Sequence, residues 1–234
     1  MFKKLAILLL AYCFSYQAQS QVLISLLLGD KLNSEDLEFG LDGGFNWSNL
    51  NGLEGSSSLR NFNLGFYFDI RMKNQWFLNT GVLVKSRVGA DQLTDENLTL
   101  LSVLPESTSG EYKQVINYFY VPALVKYKFK NHIYAAFGPQ VGLRNKTWVE
   151  FNSDEAGREI RIRENNKDDF STLDFGLTAS TGYQLQQGNG MSIGVKYYLG
   201  LTDIYKPAPN LKNSSFFLNV TIPIGKGKAL KEEK

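Results

Sequence analysis

Residues Asp36 to Ser48 constrain the fold of this chain more than any other stretch. Leu37, Phe39, Leu41, Phe45 and Trp47 stand on odd positions, and Glu38, Gly40, Asp42, Gly44, Asn46 and Ser48 on even ones. Strict alternation sends the two sets to opposite faces of a β-strand, one apolar and one polar. The same period returns about seven more times along the chain, so an all-β fold is expected.

The strands are read at Asp36–Ser48, Arg60–Lys73, Trp76–Val88 and Val115–Lys130, then from Ile133, over Phe170–Gln186, from Met191, and around Phe216–Ile224. Lys73-Asn74-Gln75, Asn131-His132 and Gln187-Gly188-Asn189-Gly190 read as tight turns. Asn49–Leu59, Gly89–Gln114, Asn145–Asp169 and Asp203–Lys212 read as long connections. Within the second of these, Thr94 is placed to cap a short helix carrying Leu98, Leu101 and Leu104, closed by Pro105. Within the third, Arg158–Arg163 still alternates, so a strand or hairpin is expected to continue into solvent. Long and short connections take turns, which puts every long loop at one end of an antiparallel barrel. Outer-membrane barrels have this asymmetry, with the tight turns on the periplasmic side.

Alternation does not say which face looks inward, but the glycines do. Gly40, Gly44, Gly65, Gly81, Gly142 and Gly176 are among ten that fall on the polar face, and Gly43 is the one clear strand-centre exception. On a solvent-washed exterior they would only weaken the strands. Inside an eight-strand barrel they make room where side chains from all strands compete for a narrow lumen. The polar face is therefore read as inward and the apolar face as outward, toward lipid. Trp76, Phe129 and Tyr183 near the turn end, and Trp47, Phe119 and Phe216 near the loop end, are placed to form two interfacial girdles. The expected fold is an eight-stranded antiparallel up-and-down transmembrane β-barrel with long extracellular loops and short periplasmic turns. A soluble lipocalin-like barrel with the apolar face turned inward is the competing arrangement.

The first residues fit an export signal. Lys3 and Lys4 precede the apolar run Leu5–Phe14, and Ala18-Gln19-Ser20 offers small residues for cleavage after Ser20. Cys13 is preceded by Tyr12 rather than a small residue, which argues against lipidation, and it leaves with the signal. The expected layout is a signal peptide at 1–20, a periplasmic segment at 21–35, the barrel at 36–225 and a charged periplasmic tail at 226–234. Losing Lys3 and Lys4 takes the formal charge from +2 to zero, and no basic run calls for nucleic acid. After the signal there is no apolar run near the ~20 residues a transmembrane helix needs.

Chemistry is sparsely signalled. The inward face is expected to carry Glu38, Asp42, Asp69 and Asp174 against Arg71, Lys85, Arg87, Lys126, Lys128, Arg144 and Lys196. Mutual pairing inside the lumen is the expectation, because unpaired buried charges are costly. His132 is the only histidine and sits in a tight turn, far from the outer rim where a barrel hydrolase would want it beside a serine. Asp154-Glu155 and Asp168-Asp169 are read as solvated loop acids rather than a calcium site. No catalytic, cofactor or metal residues are assigned.

Tyr120-Val121-Pro122-Ala123-Leu124-Val125-Lys126-Tyr127, followed by Gly138-Pro139-Gln140-Val141-Gly142, resembles the PorT-like outer-membrane β-barrel family of Bacteroidetes-type bacteria. The likeness spans about Asp36 to Gly225, and the Ala-Gln-Ser-Gln end of the signal is similar to exports of that group. It implies an outer-membrane barrel without assigned activity, whose founding relative takes part in protein secretion. The chain departs from general outer-membrane practice in ending with a Lys-rich tail rather than an aromatic strand terminus. The expected function is a small, non-enzymatic, monomeric outer-membrane barrel with a structural or interaction role through its loops. A secretion accessory is the alternative.

Overall fold

The computed structural model describes residues 34, 36–155, 158–188 and 190–224. The expected signal peptide with Cys13, nearly all of the segment 21–35, and the tail 226–234 lie outside the described residues. The strands are β1 Leu37–Asn51, β2 Ser57–Lys73, β3 Trp76–Asp91, β4 Glu111–Lys128, β5 Ile133–Glu155, β6 Arg158–Asn165, β7 Leu173–Gln184, β8 Ser192–Gly200 and β9 Lys212–Pro223. Two short helices, α1 Asp95–Leu100 and α2 Leu185–Gly188, lie in connections. All ladders are antiparallel, and the ring runs β1-β2-β3-β4-β5-β7-β8-β9 before closing from β9 onto β1. This is the eight-stranded up-and-down barrel the alternation implies. Closure gives every ring strand a neighbour on both sides, so the sheet has no free edge strand in hydrocarbon.

β6 stands outside the ring. It pairs with the far half of β5, from Trp148↔Asn165 to Glu155↔Arg158. That half of β5 also pairs with β4, from Glu111↔Asn152 to Asn117↔Lys146. A three-stranded extension therefore rises from the loop end, as the alternation of Arg158–Arg163 predicts.

The faces point as the glycines indicate. Phe45, Phe62, Phe66, Val125, Phe137 and Phe175 are exposed on the outside, while Glu38, Asp42, Asp69, Lys126, Asp174 and Lys196 are buried within. The apolar-inward arrangement of a soluble barrel is thereby overturned. Several inward glycines face a tyrosine. A Cβ on Gly142 would stand 2.7 Å from the Tyr120 ring, and one on Gly176 would stand 2.6 Å from the Tyr198 ring. These large rings fit the bore only because the facing residue has no side chain. The inner girdle is continuous where Trp76 meets Tyr127 at 4.7 Å and Tyr127 meets Phe129 at 4.8 Å. Trp47 lies 6.0 Å from Phe216 in the outer girdle.

Five expectations need correction. The Asn49–Leu59 loop shrinks to residues 52–56, because β1 and β2 continue pairing to Ser48↔Leu59 and β1 pairs β9 as far as Asn51↔Lys212. Lys85 and Arg87 do not face the lumen. An irregularity between Leu83 and Ser86 puts one extra residue into β3, and every later side chain changes face. Lys85 is then exposed over the outward Phe62 ring, and Ser86 and Val88 are buried inside. The upper lumen is apolar rather than polar, filled by Leu50, Val88, Ala90 and Ile116 beneath α1. Thr94 caps α1 as expected, its Oγ1 accepting from the Asn97 N–H, and Leu98 and Leu101 are buried, but Leu104 is 86% exposed beyond the helix. Leu185–Gly188 form the helical turn α2 where a tight turn over Gln187-Gly188-Asn189-Gly190 is expected. The other tight turns hold, with Asn74 (φ 53) and His132 (φ 68) in the left-handed region that Asn and His tolerate better than most.

Candidate functional site

The periplasmic half of the lumen is a charge lattice. Asp69, fully buried on β2, accepts from Lys126 Nζ at 2.8 Å, and Lys128 Nζ lies 2.8 Å from the same carboxylate. Asn79 Nδ2 donates to its other oxygen at 2.7 Å. Lys128 also lies 3.6 Å from Glu38, which accepts from Tyr67 Oη at 2.8 Å. One level further in, Lys196 Nζ donates to Asp42 at 3.1 Å, and Asn219 Nδ2 donates to it at 3.2 Å. Each acid is thus supplied with at least two donors, which is the condition for burying charge in a narrow bore. The mutual pairing expected from the sequence is present, and Lys126 also sits 4.4 Å from the Tyr134 ring centroid.

Above the lattice Asp174 accepts from Asn213 Nδ2 at 2.7 Å, and Tyr120 Oη stands 3.5 Å away. Tyr118, Tyr120 and Tyr198 follow one another as tilted rings with centroids 5.2 and 5.3 Å apart, all fully buried. The α1 lid and its Leu98 and Leu101 side chains close the top. Described interior groups are therefore engaged in filling the barrel.

The open chemistry lies at the two ends. At the periplasmic mouth a shallow cleft of about 240 Å³ is lined by Arg71, Phe77, Lys128 and His132 among others. At the loop end a cleft of about 310 Å³ lies where β2, β3, β4 and β5 meet β6. Arg60, Arg87, Lys113, Arg161 and Arg163 line it, with Asp91 and Glu150 as its acids. Glu150 binds Lys113 at 3.0 Å and Arg163 at 2.6 Å, with Arg161 at 3.9 Å. Burial pushes the Glu150 carboxyl up, but hydrogen bonds from Lys113, Arg163 and Trp148 outweigh it and hold the group down at about 2. Arg87 and Arg163 both lie against the Trp148 ring, at 5.6 and 5.3 Å from its centroid.

The residues weighed from sequence for chemistry are scattered. His132 sits in the β4–β5 turn with its ring 6.2 Å from Tyr183, at the opposite end from the loops. Asp154 is exposed near the end of β5, and Asp168 and Asp169 lie in a short 3-10 turn where the Asp168 carbonyl accepts from Lys206 Nζ. Among the described residues no group of three or more His, Cys, Asp or Glu side chains is positioned to share a metal ion. The sequence reading missed the loop-end cleft. Its parts come from several strands, and the only local signal was the alternating Arg161-Ile162-Arg163.

Strand register, an outward apolar wall and a charge-filled bore define a small transmembrane β-barrel. Residues 17–206 match the outer membrane protein beta-barrel domain, and the chain belongs to that family and to the outer membrane. No curated protein matches the sequence significantly. Among solved structures the chain is similar to the attachment invasion locus protein Ail of Yersinia pestis, at 13% identity and a TM-score of 0.43, covering 81% of this chain and 99% of that one. It is also similar to Neisserial surface protein A, at 11% identity and a TM-score of 0.40, covering 80% and 96%. OprG of Pseudomonas aeruginosa aligns at 14% identity and a TM-score of 0.34, covering 80% and 93%.

Proposed function

We propose that this outer-membrane barrel is a non-enzymatic, monomeric interaction protein, delivered by a signal peptide at 1–20, whose working part is the extension β4–β5–β6. One observation carries the reading: β5 runs unbroken for 23 residues out of the ring and takes β6 with it. The β6 side chains described are exposed, and the strand's second edge has no partner strand among the described residues. Ile160 and Ile162, 36% and 41% exposed, lie opposite Ser153 and Phe151, on the side of the hairpin away from Arg161 and Arg163. A free strand edge flanked by exposed isoleucines is a docking template for an extended segment of another protein. The bore, filled by ion pairs and close-packed tyrosines, is read as a strut rather than a conduit.

A photo-crosslinking residue at Ile162 on intact cells tests this. A discrete adduct that is lost when Ile160→Glu is added to the probe-bearing barrel supports it, and an adduct-free barrel with the same surface exposure defeats it. The resemblance of Tyr120–Tyr127 and Gly138–Gly142 to the PorT-like family favours a second reading, a secretion accessory. In that case deleting the gene should trap exported surface proteins in the periplasm, and unchanged export removes the reading.

A further inference from the structure

Between Ser58↔Ala90 and Leu64↔Lys85 the ladder of β2 and β3 is interrupted. Over this stretch β3 turns toward the barrel axis. The Gly89 N–H donates to Ser48 Oγ at 2.9 Å, and the Arg87 carbonyl accepts from Asn46 Nδ2 at 2.9 Å, both acceptor and donor being lumenal side chains of β1. Sinking of β3 leaves the loop-end cleft on the outer side of the wall, between β2 and the β4–β5–β6 extension.

Five cations and two acids line this cleft, an excess of three positive charges. Glu150 is saturated by its lysine and arginines, whereas Arg60 and Arg87 have no ion pair among the described residues. The position is as informative as the charge. Arg60 lies two residues from the outward Phe62, toward the loop end and on the same face of β2, and Arg87 pairs with Asn117, two residues from Phe119 on β4. Two residues of strand are about 7 Å. Arg60 also lies directly opposite Trp47 of the outer girdle, so the guanidiniums stand at the level of that girdle and just above it, where aromatic belts meet the lipid headgroups. In the outer leaflet that level is occupied by phosphorylated glycolipid. Arginine forks suit phosphate oxygens, and Trp148 holds two of them in place.

We propose that the cleft binds the phosphate of an outer-leaflet glycolipid headgroup, taken by Arg60, Arg87 and Arg163 beside the lipid wall, with Glu150 spacing the guanidiniums. The site is independent of the protein-docking edge, since Arg161 and Arg163 lie on the opposite side of β6 from Ile160 and Ile162. Full-length barrel in phosphatidylcholine nanodiscs, doped with lipid A or with dephosphorylated lipid A, tests it by native mass spectrometry of retained lipid. Lipid A should be retained at least about tenfold more than its dephosphorylated form, as loss of a charge-assisted contact implies. Arg60→Gln/Arg87→Gln should abolish the difference, and added salt should weaken it. Equal retention of the two lipids by the wild type overturns the proposal. So does displacement of lipid A by equimolar inorganic phosphate, which would mark a site for the free anion. Heat-modifiable migration checks folding of the double variant. Should it not fold, Arg60→Gln alone decides, because Arg60 lies outside the Glu150 network and must still weaken retention. Ile160→Glu/Ile162→Glu should leave lipid retention unchanged, which separates failure here from failure of the docking edge.

Discussion

Replacing Asp69 by Asn puts the charge lattice under direct test. The carboxylate is fully buried and receives Lys126 and Lys128 at 2.8 Å each, with Asn79 at 2.7 Å. Lys128 retains Glu38 at 3.6 Å after the change, but Lys126, whose side chain is 7% exposed, keeps only the rings of Tyr134 and Tyr67. Removing one partner of a buried pair costs about 3–5 kcal/mol. The lower end applies, since the introduced amide oxygen still accepts one bond, so the loss should be about 3 kcal/mol, on the order of a hundredfold in the folded-to-unfolded ratio. Lys126→Met alone should cost about 1–2 kcal/mol, because Lys128 and Asn79 still serve Asp69. The double variant should cost about 2 kcal/mol rather than the sum, since neither charge is then stranded. The assay is reversible denaturant unfolding in lipid vesicles followed by tryptophan fluorescence. An Asp69→Asn barrel within about 0.5 kcal/mol of wild type, or strict additivity in the cycle, would refute the claim that the pair holds the bore together.

Phe137→Lys, at a position 58% exposed on the lipid face of β5, should destabilise by about 2–4 kcal/mol in the same unfolding assay. Gly176→Ala would press its Cβ against the Leu199 backbone carbonyl as well as the Tyr198 ring, costing about 1–3 kcal/mol, whereas Gly43→Ala, whose Cβ would meet no atom closer than 3.5 Å, should cost well under that. Glu150 has a depressed folded-state pKa, so its stabilisation is fully present above the ordinary carboxylate value of 4.5 and is lost as pH falls toward about 2. Hydrogen exchange across β5–β6 should accelerate over that window, and Glu150→Gln should flatten the dependence.

Much of this molecule is written at period two. β1, β2, β4, β7, β8 and β9 follow their alternation, and the glycines on the polar face assign the bore without reference to any coordinate. The misreadings arise where a strand changes phase or leaves the membrane. Nothing local in Leu83-Val84-Lys85-Ser86 announces the extra residue that turns Lys85 and Arg87 outward; it follows from how β3 meets β2 and β4. Above the lipid, inward positions no longer need polar pairing, and Val88, Ile116 and Val149 pack as a soluble core under α1. The same apolar letters thus mean lipid-facing below and buried above. The loop-end cleft was illegible because several strands contribute to it, and sequence alone does not give their relative heights.

The unbroken course of β5 also sets a stature. From Leu143, the last exposed apolar residue of its membrane-facing part, to Glu155 the strand adds twelve residues, roughly 40 Å of backbone. At the usual barrel tilt this lifts the hairpin tip about 30 Å clear of the acyl chains. Whatever meets that tip does so well clear of the acyl chains, while the arginine cleft lies closer to the apolar wall, at its foot.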